Sequence, residues 1–224
     1  MGSDVVFVCI LLLFTILYSI LGLTRHRALK LPLCASKKWQ PHVSVIVAAH
    51  NEALHLPTCL ESLLKLDYPH DKLEILVVDD DSTDNSAQII SSYAAQSKIL
   101  TAIELNRNDK IKPGKSGALL VGIEASRGEI IFITDADCHV PHSWIKTTLS
   151  LFENQTALVG GFTLIDFRSA NLLSRIQKVD WLFLLSVASA ASQLHKPVTW
   201  VGNNLAFRRS AYNQVGGYRE LEDS

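Results

Sequence analysis

Ile130-Ile131-Phe132-Ile133-Thr134-Asp135-Ala136-Asp137 is an uncharged, mostly apolar run that breaks off into two acids. A short run of β-branched and aromatic residues with no polar alternation reads as a strand covered on both faces, as in a parallel sheet. In an open parallel sheet, ligands bind beyond the carboxyl ends of the strands. Asp135 and Asp137 fall at such an end.

The pattern repeats on either side. Residues 43–49, 73–78 and 99–105 are strand candidates upstream, and 157–165 is one downstream. Helical segments separate them. Residues 57–66 start on Pro57, which suits a first helical turn, and Leu60, Leu63 and Leu64 give them an apolar face. Asp84 can cap the next helix, to about Ser97. Residues 115–126 form a third, ended by Gly128, and 141–153 a fourth. Strands alternating with helices predict parallel βαβ units, hence an α/β class with a mostly parallel, Rossmann-like sheet and helices on both faces. After residue 166 the pattern changes. Residues 171–193 read as one long helix, and its apolar stretch 181–191 is too short to span a membrane, so an amphipathic or buried helix is expected. A strand-like piece at 198–207, a helix at 208–214 and Gly216-Gly217 follow.

With 48% apolar residues and 19% charged, the composition is globular with a lean towards membrane proteins. The net charge of −1 leaves no electrostatic footprint for nucleic acid. Cys9, Cys34, Cys59 and Cys138 are widely spaced, without a C-x-x-C pair. That pattern excludes a disulfide framework or structural zinc site and fits a reducing compartment. Residues 5–23 are apolar apart from Thr15, Tyr18, Ser19 and Gly22, and a helix of that length spans roughly 28 Å, close to the hydrocarbon thickness. Arg25, His26, Arg27 and Lys30 follow it, whereas only Asp4 and the amino terminus precede it. The positive-inside rule then puts the rest in the cytoplasm. A cleaved signal peptide fits less well, because no positive side chain precedes the run and the run is too long. The expected organisation is a transmembrane helix at 4–23, a juxtamembrane linker at 24–41 and one α/β domain over 42–224, on a single-pass anchor at the cytoplasmic (inner) membrane. The Asn154-Gln155-Thr156 sequon has no role there.

Three polar clusters follow three strands: His50-Asn51-Glu52, Asp79-Asp80-Asp81-Ser82-Thr83-Asp84, and Asp135-Ala136-Asp137. Gathered acids resist joint ionisation unless a cation compensates. Mg²⁺ or Mn²⁺ does so with one or two carboxylates plus substrate phosphates. Lys112 and Lys115 flank Gly114 in a basic segment that enters a helix, which suits a diphosphate. It is not a Walker A loop, since Asp109 stands where the first glycine belongs. Taken singly, each feature has a plainer reading. A lone D-x-D is usually a turn or cap, Asp79–Asp84 can be capping chemistry, His50 a structural hydrogen-bonding group and Lys115 a solvated helix-end charge. The conjunction, in chain order, argues for a site.

Residues 45–52, 78–84, 112–119 and 128–137, which carry these clusters, resemble family 2 glycosyltransferases. These are inverting enzymes with the GT-A nucleotide-diphospho-sugar fold. Gly202-Asn203-Asn204-Leu205-Ala206-Phe207-Arg208-Arg209 and Gly216-Gly217-Tyr218 are similar to the segment that follows in that family. The resemblance implies transfer of a sugar from a nucleotide-sugar donor, with UDP the commoner nucleotide, to a saccharide or lipid-linked acceptor. It implies that His50, Glu52, Asp80, Lys115 and Asp135 bind the nucleotide-sugar, with Asp80 at the base. Asp137 is implied to hold Mg²⁺ or Mn²⁺, and Asn203 and Asn204 to line the acceptor side. Asp81 stands where the family commonly has glycine. An inverting transfer also needs a general base. Glu220, Glu222 and Asp223 follow Gly217 too closely to be that base, so none is assigned and the domain reads as C-terminally incomplete. The rival readings are a nucleotide-sugar-binding chain without turnover, and a nucleotidyltransferase or phosphatase. Cys138-His139 after the Asp-x-Asp strand does not suit the phosphatase, and the Asp79–Asp84 cluster has no role there.

Overall fold

β1 (Val43–Ala49) is buried along almost its whole length, with Val45, Ile46 and Val47 fully shielded. That requires strands on both sides and helices on both faces, and both are present. A computed structural model describes residues 6, 12–13, 15–16, 19, 22–23, 39–106, 114–165, 171–193 and 199–219. In it β1 pairs in parallel with β2 (Leu73–Asp80) and with β4 (Ile130–Asp135), and β2 pairs in parallel with β3 (Leu100–Leu105). β6 (Asn204–Arg208) adds to β4 antiparallel, and the three-residue β5 (Leu158–Gly160) adds to β6 antiparallel, giving the order β3-β2-β1-β4-β6-β5. The α/β class and the mostly parallel sheet expected from the alternation are therefore present.

One face of the sheet carries α1 (Leu56–Leu64), α2 (Ser86–Gln96) and the short α4 (Trp144–Leu149). Val45, Val47, Phe132 and Ile75 pack there with Leu56, Leu60 and Leu63 of α1, Ile90 of α2 and Trp144 of α4. Each such aliphatic side chain contributes about 1.5–3 kcal/mol when fully buried. The opposite face carries Leu119 and Ile123 of α3 (Lys115–Ala125) over Ile46, Ile131 and Ile133. α3 lies very close to the sheet. A Cβ on Gly122 would come within 2.6 Å of Ile46 Cγ2, so only glycine allows the approach.

Several boundaries differ from the sequence reading. β2 and β4 extend through Asp80 and Asp135, so these acids are strand residues and not loop residues. The helix expected over 141–153 is regular only at 144–149, because Leu151 N and Phe152 N bond three residues back, to Thr148 O and Leu149 O, tightening the last turn. The strand expected over 157–165 pairs only at 158–160, opposite Phe207, Ala206 and Leu205.

β6 begins a segment that ties the sheet edge together. Arg208 lies over the rings of Trp39 (5.1 Å) and Phe152 (5.5 Å), and its Nε donates to Thr156 O at 3.0 Å. Arg209 opens α6 (Arg209–Gln214) and reaches back to the end of α3. Its guanidinium donates to Ile123 O (3.0 Å), Gly128 O (2.8 Å) and Ser126 Oγ (2.7 Å). This adds a donor at the carboxyl-terminal turn of α3, where Ile123 O also accepts from Ser126 N and Oγ, and ties the turn at Gly128 to α6. Replacing Arg209 with alanine removes these three bonds while Ile123 O keeps Ser126 N and Oγ as donors, and a loss of about 2 kcal/mol is expected, since hydrogen bonds from a charged donor are each worth roughly 1.5–3 kcal/mol. Urea denaturation of the two proteins measures it. The Gly-Gly-aromatic motif is also structural. Gly216 and Gly217 are left-handed (φ 76° and 59°), and a Cβ on Gly217 would collide with the Tyr212 ring at 2.3 Å.

The chain forms two compact units, Cys34–Gly161 with Val201–Ser224, and Met1–Leu33 with Phe162–Trp200. The sheet belongs to the first. In the second, α5 (Leu172–Gln193) is capped by Asn171, whose Oδ1 accepts from Ser174 N at 2.8 Å and Ser174 Oγ at 2.6 Å. Trp181 Nε1 donates to Thr163 O at 2.8 Å. The span expected at 4–23 lies mostly outside the described residues. Those of it that are described are helical, and among the described residues no helix is long and apolar enough to cross a membrane. Apart from residues 39–41, the expected linker lies outside them too, as do Lys112, Glu220, Glu222 and Asp223.

Candidate functional site

The carboxyl ends of β1, β2 and β4 open onto one cavity of about 190 Å³, lined by Ala48, Ala49, His50, Glu52, Asp80, Lys115, Asp135, Ala136 and Asp137. The six residues expected to bind nucleotide-sugar and metal, from three strand ends and one helix start, are thus brought together. Parallel register explains it: Ala48 lies opposite both Val78 and Asp135, so the polar residues that follow emerge at one level.

Two loops form one wall, cross-linked by side chains. Asn51 is left-handed (φ 56°) and its Oδ1 accepts from Thr83 N at 2.8 Å, while Asn51 N donates to Ser82 Oγ at 2.9 Å. Glu52 N donates to Ser86 Oγ (2.9 Å) and Ala53 N to Asp84 Oδ2 (3.1 Å). His50 Nδ1 lies 2.7 Å from Asp80 O and His50 Nε2 lies 3.1 Å from Asn51 Nδ2. A carbonyl only accepts, so Nδ1 carries the proton and Nε2 accepts from the amide. His50 therefore braces the β1 end against the β2 end.

The acidic cluster divides its labour. Asp79, buried, accepts Ser82 Oγ (2.6 Å) and Ser82 N (3.2 Å) and so builds the turn. Asp80, next along the strand, lines the cavity. Asp81 is left-handed (φ 62°), which explains why glycine suits this position, and Asp is among the few residues that tolerate it. Asp84 holds the start of α2, accepting Ser86 N at 2.9 Å. The hydrogen bond from the Ser86 side chain, helped by backbone N–H groups, holds the Asp84 carboxyl below its ordinary range against a smaller opposing effect of burial. A depressed carboxylate stabilises the fold above its unfolded-state value, near 3.9, and that contribution is lost as pH falls through the lower native value. Asp84→Asn is therefore expected to lower the melting temperature at neutral pH and to leave less of the acid-limb loss of stability. Melting curves from pH 7 down to pH 3 test this.

The opposite wall is β4 and the start of α3. Gly114 is left-handed (φ 72°) and turns the chain into α3 at Lys115. Lys115 Nζ forms an ion pair with Asp135 Oδ1, both partly exposed. Asp137 is exposed two residues on. Beneath them Cys59 Sγ approaches Asp135 O at 3.6 Å, and Cys138 N donates to the same oxygen at 3.1 Å. Burial, chiefly, and then the nearby charges push the Cys59 thiol up to about 12 and the Cys138 thiol to about 11, so both are protonated and inert at neutral pH.

The lining carries four carboxylates (Glu52, Asp80, Asp135, Asp137) against one ammonium, Lys115. Such a lining disfavours a free anion unless a cation accompanies it. Among the described residues no group of three His, Cys, Asp or Glu side chains is gathered for a metal. An exposed Asp137 beside a cavity fits a hard ion that takes one or two protein carboxylates and completes its shell with phosphate and water.

Asn203 and Asn204 do not line this cavity. Asn204 Oδ1 accepts from Trp144 Nε1 at 2.9 Å, and a Cβ on Gly161 would run into its amide at 2.4 Å. Asn204 thus locks the β6 edge to α4. The sequence reading missed the roles of Ser82, Ser86, Asp84 towards Ala53, and Trp144. The Asp79-x-x-Ser82 and Asp84-x-Ser86 spacings were the available signals for the first two.

The model of the glycosyl transferase family 2 matches residues 44–216, and the chain belongs to that family. The probable glycosyltransferase YdaM of Bacillus subtilis (strain 168) is 31% identical over 183 residues, covering 80% of this chain and 43% of YdaM. A β-monoglucosyldiacylglycerol synthase of Synechocystis sp. is 34% identical over 191 residues, covering 80% of this chain and 37% of that protein. The chain thus spans less than half the length of these two curated relatives. The mannosyltransferase PcManGT from Pyrobaculum calidifontis, solved with GDP-Man and Mn²⁺, superposes with a TM-score of 0.67 at 27% identity, covering 89% of this chain and 55% of that one.

Proposed function

We propose that this chain is the donor-binding part of a glycosyltransferase that moves a sugar, with inversion, from a nucleoside-diphosphate sugar to a saccharide or lipid-linked acceptor at the cytoplasmic membrane face. The observation that carries the reading is the cavity at three parallel strand ends, with four carboxylates and one lysine. Two comparisons support it: PcManGT was solved with GDP-Man and Mn²⁺, and the Synechocystis relative is named for a glucosylated diacylglycerol.

The residues then take these roles. Asp80, at the end of β2, accepts a hydrogen bond from the base, with UDP the first candidate nucleotide. Glu52 accepts from the nucleoside, and His50 holds the Asp80 backbone in place. A diphosphate arriving beside Lys115 competes with Asp135 for its ammonium, which frees the Asp135 carboxylate for a ribose or sugar hydroxyl. Asp137 would hold Mg²⁺ or Mn²⁺, which supplies Lewis-acid neutralisation of the leaving diphosphate. Inversion needs a base on the acceptor side, and no described side chain is assigned to it. Isothermal titration of UDP, GDP and dTDP into the full chain, with and without Mn²⁺, tests the donor site. Metal-dependent binding of one nucleotide is expected. A folded protein that binds none of the three would sink the proposal.

A further inference from the structure

Twelve of the fifteen large apolar side chains exposed among the described residues fall in the smaller unit, which holds far less than half of the chain. On α5 they form a pattern. Leu172, Ile176 and Val179 are 74%, 56% and 67% exposed, and at 100° per residue they lie within about 60° of one another on one helix face. Arg175 and Lys178, both exposed, flank one side of that face, with Asp180 on the other. In the carboxyl-terminal half of the same helix the described side chains are buried or half-buried apart from Leu184, so the exposed apolar face lies mainly in its first two turns.

We propose that this amino-terminal part of α5 lies in the plane of a lipid bilayer surface. An apolar stripe bordered by basic residues is the pattern of an interfacial helix, with the stripe among acyl chains and the cations at anionic headgroups. Length rules out a span for this face. Val6, Leu12, Leu13, Ile16 and Leu23 are exposed apolar side chains in the same unit, and such a spread suits a fluid lipid surface better than one shaped protein groove. The contact is separate from any anchoring by residues 5–23 and from the sugar-transfer reading.

The test uses the unmodified full chain in vesicles of phosphatidylcholine and phosphatidylglycerol, spiked with a phospholipid that carries a photoreactive diazirine near the headgroup end of its acyl chain. Mass spectrometry locates the adducts. Adducts within residues 172–179 are expected, and Ile176→Glu with Val179→Glu should reduce them several-fold. Both sites are exposed, so the variant should melt with the parent. Adducts confined to residues 5–23, or none on α5 together with concentration-dependent self-association lost in the variant, would overturn the proposal.

Discussion

On the proposed reading, Asp137→Ala removes the metal-dependent part of nucleotide binding and lowers kcat/KM for sugar transfer by roughly 10³-fold. Lewis-acid stabilisation of a leaving phosphate is worth several kcal/mol, and each 1.36 kcal/mol is a factor of ten. Asp137 is exposed at the cavity, and among the described residues its carboxylate accepts only from the neighbouring Cys138 Sγ, at 3.5 Å. Stability should therefore be unchanged, which separates loss of a ligand from loss of the fold. Titration of UDP and GDP with and without Mn²⁺, beside a thermal melt, reads both quantities. If nucleotide affinity in the variant still rises with Mn²⁺ as in the parent, the metal is held elsewhere.

Gly128→Ala should produce the largest loss of stability. Its nitrogen donates to Ser44 Oγ at 2.7 Å, and an added Cβ would sit 2.4 Å from Ser44 N and 2.4 Å from Ser44 Oγ. Backbone cannot yield as a flexible side chain end can. Ser44 also donates to Glu74 Oε1 at 2.6 Å, and that oxygen accepts Arg127 N at 2.5 Å, so the clash falls on a shared network joining β1, β2 and the turn into β4. Overpacking costs about 1–3 kcal/mol and lost buried hydrogen bonds add to it, so about 4 kcal/mol is expected. That is a large share of an ordinary domain's stability. Urea denaturation of the two proteins gives the difference. A shift under about 1 kcal/mol would mean that the turn relaxes freely. The cavity lies at the other end of these strands, so the remaining folded fraction should bind nucleotide with the parent's affinity.

Arg208, Arg209, Asn204 and Gly217 show where motif reading and structure part. As a string, residues 202–209 and 216–218 resemble a segment of the family. In space Asn204 meets Trp144, Arg209 bonds to the end of α3 and Gly217 makes room for Tyr212. A motif can recur for packing as readily as for chemistry, and only the partners of each side chain tell the two apart. Asp79 and Asp80 teach the same lesson at closer range, because adjacent strand residues project to opposite sides. One builds the turn and the other lines the cavity.

The sequence by itself determined the α/β class, strands near residues 43–49, 73–78, 99–105 and 130–134, and the level at which His50, Glu52, Asp80 and Asp135 emerge. These follow from local periodicity and from the rule that parallel strands present their carboxyl ends together. Only the tertiary structure decided that β6 enters antiparallel between β4 and β5, that Lys115 pairs with Asp135, and that His50 braces the Asp80 backbone. Those features join residues 20 to 70 or more positions apart. Pairing direction and long-range partners are set by which surfaces bury each other, and no periodicity within one segment records that.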